Sequence, residues 1–298
     1  MHHAEPADPI DDGVLPAGTA ALVDLDPLST IEVAGLLAGL TPGQRAIARR
    51  VRDDTVSGLG ALLAGPVQDE PRSDGAQVSS ASWVAGYLAA APVVSSWMRD
   101  RAVPDDVIAA TLGDLGRHLR LHRRHTGNVG LDAPQWLGVV LSGGLFQLGR
   151  LQFLLHRRRP DEDGLPVGSG PWVLDVHIPE AGPLTPDVVS DSFRRAVAFF
   201  DRHFPGQPAH LAVCSSWLLD PYLADHLPAS SNIVAFQRRF TPFGAARDDE
   251  LDALYFTFGV RTLDALDNLP RNSALQRVVL DRIEAAGRWQ VVSGLCRL

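Results

Sequence analysis

Asp175-Val176-His177 places a carboxylate and an imidazole two positions apart within the alternating run Trp172–Ile178. A strand period of 2 puts Trp172, Leu174, Val176 and Ile178 on one face and Val173, Asp175 and His177 on the other, so the two polar groups are near enough to interact. His177 ends the run and titrates in a useful range, which makes it the first candidate for a general base; the alternative is a histidine satisfied by Asp175 or the backbone. Glu180 follows three residues later and could accept a proton, hold an ammonium group, or stand exposed ahead of a helix. Cys214-Ser215-Ser216 offers a thiol nucleophile at Cys214, although a cysteine in an apolar strand is commonly a small buried hydrophobe and reacts only when its pKa is lowered. Ser216 could protonate a leaving group or cap a helix beginning at Trp217. Arg150, Gln152, Asn232 and Arg238, together with Asp175, are the candidates for binding substrate, arginine through the fork that matches a carboxylate or phosphate. Asn232 could instead be a turn residue after Ser230-Ser231.

Composition removes several other chemistries. Every basic residue apart from histidine is arginine, so neither a Schiff-base lysine nor a phosphate-cradling P-loop lysine is available. Two cysteines cannot form a four-thiolate metal site, and the ten histidines contain no His-Glu-x-x-His spacing, so no metal is expected. The formal charge of -8 gives no general attraction to nucleic acid or an anionic membrane. One basic run, Arg117 to His125, reads either as cations at a helix C-terminus or as a site for a phosphate or acidic partner. Met1 to Pro16 lacks the apolar core of a signal peptide, and no apolar stretch reaches the roughly 20 residues that span a bilayer. A soluble, cytoplasmic protein is expected.

The positioning elements divide by texture. Residues 1–18 are acidic and proline-bearing and read as a disordered tail, residues 19–142 as a helical domain, and residues 143–298 as an α/β domain. In the helical part, Ile31, Val33, Leu36, Leu37 and Leu40 form one stripe, and Thr41-Pro42-Gly43-Gln44 spells a capping box that opens a helix toward Leu63. Gly65–Ser80 reads as a loop; Ser82–Arg99, Pro104–Arg124 and Ala133–Leu141 read as helices. In the second part, Leu145–His156 and Trp172–Ile178 read as strands around a hairpin-like loop, Arg158–Gly170. Thr185-Pro186-Asp187 then starts a helix carrying Val189, Phe193, Ala196, Val197 and Phe200 on one face. Leu211–Ser215 reads as a strand, Trp217–Leu227 as a short helix, Ile233–Phe240 and Ala253–Phe258 as strands around a loop Thr241–Glu250, Ser273–Ala286 as a helix, and Trp289–Leu295 as a closing strand. The fold class is α/β, a mixed sheet with helices on it.

The segments Leu148–Phe153, Val176–Glu180, Cys214–Pro221 and Ser231–Ile233 resemble a family of bacterial acyltransferase-like proteins that pair a helical N-terminal domain with a GNAT-like C-terminal domain. The resemblance implies an acyl-CoA N-acyltransferase fold, with an acyl thioester lying where two central parallel strands splay apart and an amine as acceptor. It implies that Trp172–Ile178 runs along the pantetheine arm, with Ile178, Gly182 and Thr185 contributing to the cofactor site at the helix start. Acyl-CoA or CoA is then the co-substrate, with an acyl carrier protein as the other possible donor. That second donor offers one phosphodiester where CoA offers a pyrophosphate, which suits a loop with two prolines and Glu180. Two other readings stand beside transfer to a small-molecule amine: a non-catalytic module that binds a metabolite or thioester, and a thioester hydrolase using Cys214.

Overall fold

The computed structural model describes residues 8–62, 78–158, 164–166, 170–264 and 266–298. Residues 1–7 of the expected tail, most of the Gly65–Ser80 loop, and much of the Arg158–Gly170 hairpin-like loop lie outside the described residues. The chain divides into two compact units, Met1–Gln147 and Leu148–Leu298.

The first unit is helical: α1 (Thr19–Leu22), α2 (Pro27–Ala38), α3 (Pro42–Ser57), α4 (Ser80–Asp100), α5 (Asp105–Leu112), α6 (Asp114–Thr126) and α7 (Pro134–Val140). The Thr41–Gln44 capping box forms as the sequence predicts, and α3 stops at Gly58, short of Leu63. Residues 8–18, expected in the tail, belong instead to the fold: Ile10 is fully buried, its carbonyl accepts from Arg45, and Asp11 pairs with Arg49. On α2, Val33 and Leu37 face inward as expected, but Ile31 is 70% exposed. The expected helix Pro104–Arg124 is two helices meeting at Gly113. Just beyond, the Gly116 N–H donates to the Val23 carbonyl, and a Cβ at Gly116 would lie 2.2 Å from the Asp24 carbonyl oxygen.

The basic run of α6 turns out to serve its own unit. Arg117 pairs with Asp114, Arg120 with Asp24, and Arg123 with both Asp26 and Glu32, while His122 and His125 flank Asp132. Asp26 also caps α2 by accepting from the Ser29 N–H. That amide first, and Arg123 second, hold the Asp26 carboxyl down at about 2. A depressed folded pKa contributes stability that is complete above the ordinary value near 3.8 and disappears as the pH falls through about 2. Asp26→Asn is therefore expected to flatten the stability curve between about pH 4 and 2. Because the pair lies near the surface, the difference should be at most about 1 kcal/mol, measured by denaturant titration at each pH.

The sheet has the order β1-β2-β3-β4-β6-β5, with β1 (Leu145–Leu148), β2 (Leu151–Arg157), β3 (Trp172–His177), β4 (Ala209–Ser216), β5 (Thr241–Asp248) and β6 (Gln290–Arg297). The expected single strand Leu145–His156 is interrupted by a turn at Gly149-Arg150, where Gly149 takes φ +73°. Strands β3 and β4 are parallel, and all the other registered pairs in the second unit are antiparallel. A parallel pair needs a crossover, supplied by α8 (Pro186–His203). Its apolar stripe forms largely as the spacing predicts, with Phe193 packed edge-to-face on Phe153 at 5.4 Å; Val197 is the member that faces solvent. Because α8 lies on the Phe153 side, the adjacent positions Gln152 on β2 and Asp175 and His177 on β3 belong to the opposite face.

After β4, a 3-10 turn (Trp217–Leu219) leads to α9 (Pro221–His226), α10 (Asn232–Gln237), α11 (Glu250–Phe258) and α12 (Ala274–Glu284). Three expectations are overturned in this stretch. The expected strand Ile233–Phe240 is mostly the helix α10, which ends at Gln237, and Ala253–Phe258 lies within α11, the two capped by Ser231 and Asp249, while Thr241–Asp248 is a strand. Pro242 and Gly244 made β5 read as a loop; proline is tolerated because β5 is the sheet edge, and Gly244 sits at φ +68° where the register slips between Phe243 and Arg247. Trp217, Leu223, Val234, Leu254, Val279 and Trp289 gather these helices into one core.

Candidate active site

Strand pairing defines the site. The β3–β4 ladder runs from Trp172/Ala209 to Asp175/Val213 and ends there, although β3 continues through Val176 and His177 and β4 through Cys214, Ser215 and Ser216. On their outer sides those same residues remain paired, Val176 and His177 with Phe153 and Gln152, and Cys214 to Ser216 with Gly294, Ser293 and Val292. Two parallel backbone edges therefore part at their C-terminal ends and leave a slot. Because α8 follows β3, its N-terminus lies at this same end of the sheet.

His177 stands at the slot with 28% of its side chain exposed, and its Nε2 is 3.5 Å from Asp175 Oδ2. Asp175 is buried. That contact is at ion-pair distance, and a neutral imidazole there offers one ring nitrogen as donor and the other as acceptor. Directly across the β2–β3 pair is Gln152, 1% exposed, whose amide nitrogen Nε2 is buried without an acceptor. An unsatisfied buried donor costs about 1–3 kcal/mol, so its position beside an accessible imidazole marks a place where a ligand oxygen would be favoured.

The loop between β3 and α8 holds Ile178, Glu180 and Gly182. Ile178 is half-buried, Glu180 is exposed, and Gly182 has φ +85°. Thr185 occupies the N-cap position with extended backbone, but its side chain makes no capping hydrogen bond. The first-turn amides of α8 are thus not taken up by that hydroxyl. A helix N-terminus in this condition is suited to an anion.

The structure places the further candidates as follows. Arg150 was expected to receive a substrate anion, but its guanidinium donates to the carbonyls of Pro179, Gly182 and Pro183. Cys214 was a candidate nucleophile; it is 1% exposed, and burial first, then Asp175 and Cys296, push its thiol well above the ordinary value. Its position alternates with Val213, the partner of Asp175, so it belongs to the sheet face opposite His177. An inert, protonated thiol there fits a small core residue. Asn232 opens α10 after the capping Ser231, and Arg238 is exposed at the helix end, both on an element packed against α8 and α9 rather than on the slot strands. Ser216 stays at the rim, where its Oγ accepts from the Leu218 N–H and caps the 3-10 turn.

The residue that sequence reading missed is Asp220. It is buried and accepts from the N–H groups of Tyr222 and Gln290 and from Arg282 Nη1 at 2.8 Å, while the Arg282 guanidinium lies over the rings of Tyr222 and Trp289. The Asp220-Pro221 dipeptide, an N-cap followed by proline at N1, carried the signal for its first bond; the ion pair to residue 282 left none. Among the described residues no cluster of three or more His, Cys, Asp or Glu could hold a metal ion, and no helix is long and apolar enough to cross a membrane.

Residues 21–143 match the N-acyltransferase N-terminal domain family, and residues 145–296 match the GNAT-like C-terminal domain family. No curated protein matches the chain. Among solved structures, an acyltransferase in complex with CoA and 10C-teicoplanin is 29% identical over 97% of this chain and 93% of its own, with a TM-score of 0.81. An acyltransferase in complex with decanoyl-CoA is 30% identical over 95% of this chain and 89% of its own, with a TM-score of 0.80. A further acyltransferase complex, with decanoyl-CoA and teicoplanin, is 29% identical with a TM-score of 0.78.

Proposed function

We propose, from the premise that this chain belongs to the acyltransferase family joining an N-acyltransferase N-terminal domain to a GNAT-like C-terminal domain, that it moves an acyl group from acyl-CoA to an amine of a small molecule. The observation that carries this reading is the parting of β3 from β4 beside the accessible imidazole of His177. An extended pantetheine arm has amides that match the unpaired backbone edges of such a slot, much as a peptide adds to a sheet edge. The diphosphate at the other end of CoA would meet the loop Ile178–Thr185 and the N-terminus of α8, with Ile178 and Gly182 shaping the approach. The matching structures are complexes with CoA or decanoyl-CoA, two of them also with 10C-teicoplanin or teicoplanin, which supports a free CoA thioester and a small-molecule acceptor.

In the reaction the amine nitrogen attacks the thioester carbonyl carbon and forms the C–N bond. The His177 imidazole accepts the proton released by that nitrogen, and Asp175 steadies the imidazolium. Collapse of the tetrahedral intermediate breaks the C–S bond, and the CoA thiolate leaves and takes a proton from solvent. Gln152 Nε2 would donate to a substrate oxygen, and Glu180 would hold a cationic group of the acceptor at the mouth. No covalent enzyme intermediate is needed, in keeping with the buried Cys214.

The test is thiol release from decanoyl-CoA in the presence and absence of an amine library, with mass detection of acylated products. Amine-dependent thiol release with a matching product is expected. Saturable decanoyl-CoA binding without turnover would replace the transferase reading with that of a binding module. Thioester loss independent of amine would replace it with hydrolysis.

A further inference from the structure

The turn between β1 and β2 carries Arg150, a side chain with no step in the proposed reaction. Arg150 Nη1 donates to the Pro179 carbonyl at 2.8 Å, Nη2 to that of Gly182 at 2.8 Å, and Nε to those of Gly182 and Pro183 at 3.0 and 3.2 Å. Its backbone N–H donates to Ser192 Oγ at 2.8 Å, and that hydroxyl donates to the Val188 carbonyl within α8. Ser192 is fully buried. Next to it, a Cβ on Gly149 would lie 2.9 Å from Ser192 Oγ, so the turn rests directly against the helix. One arginine thereby joins the turn, the Pro179–Pro183 loop and the start of α8.

The consequence follows from peptide geometry. In a trans peptide the carbonyl and the N–H point in opposite directions, and the described chain has no cis bond. With the carbonyls of Pro179 and Pro183 turned toward the guanidinium, the N–H groups of Glu180 and Leu184 point away from it. These amides belong to the segment that leads into the α8 N-terminus. The loop has lost donors to two prolines and carries the negative Glu180, so anion binding there depends on how the remaining amides are aimed. The arginine charge behind the loop also opposes the field of Glu180.

We propose that Arg150 is a positioning residue that touches no substrate, and that it holds the Pro179–Pro183 loop in the shape in which its outward amides and the first turn of α8 receive the pyrophosphate of CoA. This assignment rests on the acyl-CoA reading given above. It requires that loss of the guanidinium fork weaken only donors that carry the pyrophosphate.

The experiment measures, by calorimetry, binding of decanoyl-CoA and of S-decanoyl-pantetheine, which lacks the pyrophosphate, to wild type, Arg150→Lys and Ser192→Ala. Lysine keeps the charge but cannot span three carbonyls, and Ser192→Ala frees the turn while leaving the guanidinium in place. Decanoyl-CoA is expected to bind Arg150→Lys about 10- to 100-fold more weakly, and Ser192→Ala more weakly by a smaller factor, while decanoyl-pantetheine affinity is unchanged in both. Equal loss for both donors would reduce Arg150 to a general structural clamp, and unchanged decanoyl-CoA affinity in both variants would remove the assignment altogether. Failure of the wild type to bind decanoyl-CoA would overturn the acyl-CoA reading, and the Arg150 assignment with it.

Discussion

Replacing His177 by glutamine is expected to lower amine-dependent turnover of decanoyl-CoA by about 10²- to 10⁴-fold at neutral pH, the range that a positioned general base contributes. Glutamine fills a similar volume and keeps a polar donor near Asp175, but it cannot take up a proton. The imidazole must be neutral to act, so the wild-type rate should rise with pH as it loses its proton, and that rise should be missing from the variant over about pH 6 to 9. Because more than a quarter of the side chain is exposed, thermal stability should change little. An unchanged rate and profile would assign proton removal elsewhere, with Glu180 first in line. Steady-state kinetics with product mass detection reads both the size of the loss and its pH dependence.

Asp220→Ala should produce the largest loss of stability. Removing the carboxylate leaves the Arg282 cation, whose side chain is 15% exposed, together with the Tyr222 and Gln290 amides, without their acceptor. Breaking a pair this buried from one side costs about 3–5 kcal/mol, which for a folded unit of this size lowers the melting temperature by about 10 °C. Asp220→Asn keeps an oxygen for the amides and should lose less than half as much. Chemical denaturation of both variants checks the order, and a loss below about 1 kcal/mol for the alanine variant would show that solvent replaces the pair. The pair joins the N-cap of α9 to α12, and the Arg282 guanidinium lies over the Trp289 ring, so the damage should be read first in the packing around that buried side chain.

Elements with a strong local signal were legible in the chain. The capping box at Thr41–Gln44, the apolar stripe from Val189 to Phe200, and the alternation of Trp172–His177 each state their conformation within a few residues. The misread stretch, residues 232–258, contains short apolar runs of the kind that a buried strand and one or two helical turns share. Ser231 and Asp249 were present as caps and outweigh the β-rich look of Ile233, Val234 and Phe236. β5 failed to read as a strand for the converse reason, since proline and glycine are allowed there only by its place at the sheet edge.

The same division holds for the site. Local order alone determined that Asp175 and His177 share one side of a strand, that a helix begins near Thr185, and that lysine chemistry is absent, because these depend on period, capping and composition. The tertiary structure decided that Cys214 is sealed on the far face, that Arg150 is bound to the loop across from it, and that Asp220 meets Arg282. It also decided where β3 leaves β4. Each of those outcomes depends on which segments, tens of residues apart, come within hydrogen-bond reach, and no periodicity of a single strand or helix encodes that distance.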